Sequence, residues 1–288
     1  MAGYDTLGAG DEGALEAFLG EHAHSSMFLR SNLAAGGIVD RGRPHQSTYV
    51  ASRDAGGIRG VVGHSWHGIL QVQAPVDVVG DLARAAAERS GRAVAGLVGP
   101  WAQVVAARAA LGGAAARARL SSHEDLFALD LADMVVPAPL AEGRLRCRRP
   151  ESHELPLLVD WRVAYDVEIS NAADSAALRQ ATLADIARLH ARGATWVVTA
   201  AGEPVAYSGF NAQLPDIVQV GGVYTPPAHR GRGFARAVVA GSLLDARAAG
   251  ARQAVLFTGK DNEHAQRAYR ALGFRVVGDY GVVLFSDP

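Results

Sequence analysis

The 288-residue chain has little sulfur chemistry to offer: it contains a single cysteine, Cys147. One thiol cannot close an internal disulfide, and a reducing, cytoplasmic setting is expected. Lysine is equally scarce, with Lys260 the only one, but the preference for arginine is uniform along the chain and carries no functional reading. No apolar run approaches the roughly 20 residues of a membrane helix, because Arg, Asp or Gly interrupts each one. The N-terminal stretch MAGYDTLGAGDEGALEAF lacks a basic start and an apolar core, so no secretory leader is expected. A net charge of −1 gives no basic footprint for nucleic acid. Histidine pairs exist, but His22 and His24 do not converge on a helix, and His64 and His67 point to opposite faces of a strand. No metal site is expected.

What is present is an ordinary globular composition, 49% hydrophobic and 20% charged, long enough for two domains. The clearest boundary is the stretch Val135-Val136-Pro137-Ala138-Pro139-Leu140-Ala141-Glu142-Gly143, whose prolines and glycine suit a linker. It divides the chain into residues 1–138 and 139–288. In the first part, periodicity predicts one or two helices over 11–35, strands over 47–74 with a turn at 54–57, helices at 77–90 and 100–111, and a strand at 94–98. In the second, it predicts a strand at 145–148, helices at 151–167 and 174–192, and strands at 195–200, 204–210 and 217–225. A helix at 233–249, a strand at 253–258, a helix at 263–272 and a closing pair of strands at 274–279 and 282–286 complete it. Both parts run helices, antiparallel strands, helix, strand, helix, strands, which points to an internal duplication. The expected class is α/β (α+β), a mixed, mostly antiparallel sheet flanked by helices, present twice.

The chemistry concentrates at Gly221-Gly222-Val223-Tyr224-Thr225-Pro226-Pro227-Ala228-His229-Arg230-Gly231-Arg232-Gly233-Phe234-Ala235. An apolar strand passes through a proline-marked turn into glycine-rich backbone that opens a helix. Free amides and the positive end of a helix dipole form an anion site there. Glycine lets a diphosphate approach the backbone, and Arg230 and Arg232 can offset its charge. A phosphate-bearing cofactor is implied. It is not held by a dinucleotide fingerprint, which would need glycine where Arg236 stands. Nor is there a Walker loop, since Asp261 follows Gly259-Lys260 and the upstream glycine is missing.

The segment Arg230 to Ala235 reads R-G-x-G-x-A and resembles the Q/R-x-x-G-x-G/A loop of GNAT acyltransferases. Further on, Asn262 to Phe274 fits N-x-x-A-x-x-x-Y-x-x-x-G-F, which is similar to the strand-to-helix segment under the coenzyme A arm of that superfamily. The resemblance implies a GNAT acyltransferase fold over 139–288 with acetyl-CoA as co-substrate. It implies that Arg230, Gly231, Arg232, Gly233, Phe234 and Ala235 hold the pyrophosphate, and that Val223, Tyr224 and Thr225 line the pantetheine. Asn262 and Tyr269 complete the cofactor site. The paired glycines at 221 and 222 suggest, independently, a bulge or a close approach of another group.

Attack of an amine on a thioester needs a neutral nucleophile, an oxyanion donor and a proton for the departing thiolate. Tyr269 is the expected proton donor: a phenol near about 10 and a thiol near about 8.5 are adequately matched. A backbone N–H near Val223 is implied as the oxyanion donor. For the base, Gln219 cannot take a proton; Glu168 is the candidate, with Asp216 a second. Residues 1–138 lack the loop, having Ala74-Pro75-Val76-Asp77-Val78-Val79-Gly80-Asp81 in its place. Aligning Leu111-Gly112 on Leu272-Gly273 sets Trp101 opposite Asn262 and Arg108 opposite Tyr269, so this part is expected to be a degenerate copy. The leading expectation is N-acetylation of a small-molecule primary amine, without nucleic acid or membrane. The alternatives are acetylation of a protein amino group and a non-catalytic acyl-CoA-binding regulator.

Overall fold

The computed structural model describes residues 3–112, 117–170 and 172–285. The strands are β1 (Tyr4–Thr6), β2 (Ser47–Asp54), β3 (Gly57–Ser65), β4 (Ile69–Gln73), β5 (Gly96–Pro100), β6 (Ala118–Asp130), β7 (Leu145–Arg148), β8 (Thr195–Ala200), β9 (Glu203–Gln213), β10 (Ile217–Tyr224), β11 (Gln253–Gly259) and β12 (Arg275–Phe285). The helices are α1 (Glu12–Glu21), α2 (Met27–Gly36), α3 (Val76–Ser90), α4 (Trp101–Leu111), α5 (Ala138–Ala141), α6 (Leu155–Ser170), α7 (Ala176–Ala191), α8 (Phe234–Ala248) and α9 (Glu263–Arg270).

The chain forms two compact units, one made of 1–126, 257–261 and 277–288, the other of 127–256 and 262–276. The first unit thus ends before the proline-marked linker expected at 135–143, and β6, β11 and β12 each contribute residues to both units. In the first unit the strand order is β1-β2-β3-β4-β5 followed by β12; in the second it is β7-β8-β9-β10-β11 with β6 beside β11. Each unit has one parallel pair among its successive strands, β4 with β5 and β10 with β11, at the same place in the order. The other registers among these strands are antiparallel. Repetition of this order is the duplication that the sequence implied.

Two sequence expectations are corrected. The closing pair of strands is one strand, β12, because neither Gly278 nor Gly281 takes the left-handed conformation that a tight turn would use. Gly281 instead allows close packing: a Cβ there would lie 2.9 Å from the Trp101 ring and 3.2 Å from Val104. The second is β6, a thirteen-residue strand for which periodicity gave no signal.

The core of the second unit lies between its sheet and α8, where Ala237, Val238, Val239, Ala240 and Leu243 pack against Trp196, Val198, Phe210 and Val218. Gly241 sits under the thiol-bearing strand, since a Cβ there would overlap the Cys147 side chain. Burial pushes the Cys147 thiol up to about 12, so it stays protonated and serves as packing. On the other face, Leu158, Trp161 and Val163 of α6 pack with Ile186, Val197, Tyr207 and Tyr224.

In the first unit, His64 is fully buried, its Nδ1 2.6 Å from Ser90 Oγ, and its Nε2 finds no partner among the described residues. Burial, reinforced by the nearby Arg92 charge, lowers its pKa below the usual value of 6.5, against backbone hydrogen bonds that oppose the shift. The unfolded chain therefore binds a proton that the folded chain resists. This contribution to stability is complete above the unfolded pKa and is lost as pH falls through it. Stability should decline below roughly pH 6.5, by at most about 1.4 kcal/mol per pH unit from this group. The decline should be shallower in His64→Gln. Thermal melts of both proteins between neutral and mildly acidic pH check this, and parallel profiles would show that His64 does not contribute.

Candidate active site

Strand β10 carries the site because it leaves its neighbour early. It pairs with β11 only over Ile217–Gln219 against Gln253–Val255, and no pairing with β11 continues along Val220–Tyr224 among the described residues. On its other side the register with β9 breaks twice, between Gln219 and Val220 and between Gly221 and Tyr224. The second break leaves Gly222 and Val223 outside the pairing, with Gly222 at φ +62°. This is the bulge that the paired glycines implied: the extra residue re-aims backbone N–H and C=O groups away from the ladder.

Beyond Tyr224, Pro226 and the short turn Pro227–His229 lead to Gly231 and Gly233, both left-handed at φ +74° and +78°. Those dihedrals need glycine, and they bring the chain into α8 with no side-chain cap on its first amides. The space around a Cβ on Gly231 is open, and on Gly233 only Arg236 Nη2 comes within 4 Å, at 3.7 Å. Three buried polar atoms cluster along this run without partners among the described residues: Thr225 Oγ1, His229 Nδ1 and Arg236 Nε. Gln219 Nε2, buried in β10, is a fourth. Unsatisfied groups of this kind cost stability in an isolated chain and suit a polar ligand. The open glycine loop and the uncapped start of the fifteen-residue helix behind it fit a diphosphate.

The remaining expected residues fall around this frame. Phe234 is buried at the head of α8, edge-on to His229 and under Arg232, while Ala235 is half-buried behind it. Asn262 caps α9, its side chain accepting from the Ala265 N–H at 3.1 Å. Tyr269 lies on α9 in the core of the second unit, its ring edge-on to Phe127 and Phe274. Tyr224 is buried against Trp161 at 6.5 Å between ring centres.

Glu168 stands in an ion pair with Arg230. Both of its carboxylate oxygens accept from Arg230 Nη2, at 2.9 and 2.7 Å, and Arg230 Nε donates to the Thr225 carbonyl. The pair ties the end of α6 to the glycine loop. Asp216 stands at the start of β10, six residues before Gly222 and so about 20 Å along an extended strand.

Two groups on this frame escaped the sequence reading. Asn211 lies across Gly221, where a Cβ would come 2.1 Å from its Nδ2, and Arg162 of α6 lies against Gly222, where a Cβ would come 2.6 Å from its Nη1. The glycine pair signalled a close approach without naming what approaches. Among the described residues, no group of three or more His, Cys, Asp or Glu could hold a metal ion. Among them, too, no helix is long and apolar enough to cross a membrane.

Among its described residues, the first unit lacks this frame. Its β4 continues through Ala74 and Pro75 directly into α3, leaving no loop, and Ala74 N–H donates to Gln103 Oε1. Strands β4 and β5 remain in contact past their pairing, since a Cβ on Gly99 would meet the Val72 carbonyl at 2.5 Å. The first turn of α3 carries Asp77, paired with Arg59 at 2.7 Å, where an anion site would need open amides. Trp101 stacks on His123 and Arg108 Nη1 reaches Ser121 Oγ.

A splayed β10 with a bulge runs through a glycine loop into α8, and this arrangement lies within a segment that matches a known family. Residues 156–274 match the model of the Acetyltransferase (GNAT) family, and that segment is a GNAT domain. Over its whole length the chain has the fold of tandem GNAT proteins. It is similar to a tandem GNAT protein from the clavulanic acid biosynthesis pathway, at 15% identity and a TM-score of 0.56, with 99% of each chain covered. A GNAT-family acetyltransferase from Colwellia psychrerythraea is similar at 14% identity and a TM-score of 0.53, over 99% of this chain and 100% of that one. So is a GCN5-related N-acetyltransferase from Sphaerobacter thermophilus, at 14% identity and a TM-score of 0.58, over 97% and 94%. No curated protein matches the chain in sequence.

Proposed function

We propose that the chain transfers an acetyl group from acetyl-CoA to the primary amine of a small molecule. The observation that carries this reading is the free edge of β10 beyond Gln219, continuous with the open Gly231 and Gly233 loop at the head of α8. Acetyl-CoA would supply an activated acyl thioester. The amides of Arg232 to Ala235 would bind its diphosphate, with Arg232 offsetting charge. The backbone of Val223, outside the β9 register, would donate to the carbonyl oxygen as it becomes an oxyanion. Tyr269 would deliver its phenolic proton to the departing sulfur.

Both carboxylates on this end of α6 are bound to arginines, Glu168 to Arg230 and Asp166 to Arg162. These pairs turn carboxylate oxygens toward guanidinium groups of the protein itself. The amine therefore reacts in its neutral form drawn from solution. As the C–N bond forms and the C–S bond breaks, the proton shed by nitrogen replaces the one that Tyr269 gives up. The first unit, with its closed strands, has a structural part. Incubating the protein with acetyl-CoA and a panel of amines, while following free thiol, tests the reading. Amine-dependent thiol release is expected. Release only with peptide or protein amines would make it a protein acetyltransferase, and CoA binding without any release would make it a regulator.

A further inference from the structure

Arg162 projects from α6 onto the bulge of β10, and the chain has made room for it. Gly222 takes φ +62°, which favours glycine, and a Cβ there would come 2.6 Å from Arg162 Nη1, at the end of its flexible side chain, and 3.4 Å from the Tyr207 ring. The guanidinium thus stands at the second of the two breaks in the β10 register.

Its own partners use little of it. The only hydrogen bond it makes among the described residues runs from Nε to Asp166, at 3.4 Å, near the outer limit for such a contact. The Tyr165 ring lies 5.0 Å from its Cζ, within reach of a cation–π contact. Tyr207, buried beside it, has its phenol held up at about 12 by burial and offers no negative charge. The two Nη groups, with their four N–H donors, therefore find no acceptor among the described residues, while the side chain keeps 30% of its surface exposed. Arg230, by contrast, spends its guanidinium on Glu168 and the Thr225 carbonyl. A guanidinium with its Nη edge free matches a carboxylate, which takes two parallel N–H bonds.

We propose that the acceptor is a small amine bearing a carboxylate, and that Arg162 binds that carboxylate at the β10 bulge. The inference rests on the acyl-transfer reading and names the acceptor class for the same site. Asp166 is a positioning residue, holding the Nε edge so that the Nη edge faces the acceptor.

The test compares matched acceptors, alanine against ethylamine and alanine methyl ester, with acetyl-CoA saturating. Wild-type protein should favour the free carboxylate by about 10- to 100-fold in kcat/KM, the range for one charged hydrogen-bonding contact. Arg162→Gln should erase the preference through the acceptor KM, leaving the KM for acetyl-CoA and the melting temperature close to wild type. Arg162→Lys keeps the charge but loses the planar fork, and should retain only part of the preference. If Arg162→Gln fails to fold, the Lys variant decides. Where no acceptor turns over, binding is read instead: with CoA present, amino acids should raise the wild-type melting temperature further, and amines lacking the carboxylate should not. Equal treatment of the matched acceptors, or a preference that survives both substitutions, overturns the proposal. A protein that does not respond to CoA itself in the same melts has failed the acyl-transfer reading instead.

Discussion

Tyr269→Phe is expected to lower turnover by ~10²–10⁴, the range for loss of a general acid, while leaving CoA affinity and folding nearly unchanged. The ring packs in the core: it meets Phe127 at 6.2 Å and Phe274 at 6.0 Å, both edge-on, and the turn after α9 is closed by the Phe274 N–H on the Tyr269 carbonyl. Phenylalanine preserves all of these contacts and removes only the oxygen. If Tyr269 were there for packing alone, the Phe variant would work normally and only Tyr269→Ala would matter, through a cavity costing about 3–5 kcal/mol. The two roles thus predict opposite orders of damage. Steady-state kinetics of the Phe variant, with a thermal melt beside them, separate them. A turnover within twofold of wild type, with chemistry limiting the rate, would assign the proton to another group.

The sequence carried most of the frame but not all of it, and the gaps have physical causes. Regular helices such as α3 and α8 announce themselves by apolar spacing, and β8 to β11 by alternation with glycine or proline between them. β6 did not, because its first half, Ala118-Arg119-Leu120-Ser121-Ser122-His123-Glu124-Asp125, is mostly polar. It is a strand because β11 and β12 flank it, and those lie more than a hundred residues away in sequence. The same applies to β12, where two glycines look like a turn until their dihedrals are known.

At the site, the readable part was local. Gly231 and Gly233 are both left-handed, and Asn262 caps its helix three residues from its partner amide. Contacts between distant elements were not readable. Glu168 meets Arg230 across 62 positions and Arg162 meets Gly222 across 60, and neither pair leaves a motif. A glycine pair in a strand tells that something comes close; only the packing of α6 on β10 tells that it is a guanidinium.

CoA should raise the melting temperature of the wild-type protein, and Gly233→Glu should abolish that rise. At a hundredfold excess over Kd, binding contributes about 2.7 kcal/mol, which corresponds to about 5–10 °C for a domain of this size. The substitution acts on the ligand more than on the fold. Its Cβ has room, with Arg236 Nη2 at 3.7 Å the only neighbour within 4 Å, although φ +78° imposes about 1–2 kcal/mol of backbone strain on any L side chain. Against that strain, a carboxylate at the first turn of α8 is favoured by the helix dipole and can pair with Arg236. The free protein should therefore melt only slightly lower than wild type. The same carboxylate would stand where the diphosphate is proposed to bind and would repel it, so the response to CoA should vanish. Gly233→Asn controls for strain, since asparagine tolerates the left-handed region without charge, and it should keep part of the response. Calorimetric titration of the wild type should find one equivalent of CoA per chain, because β4 runs into α3 without a loop in the first unit. A second equivalent that survives Gly233→Glu would place a working site in the first unit. A wild-type protein that takes up no CoA at all would remove the basis for acyl transfer.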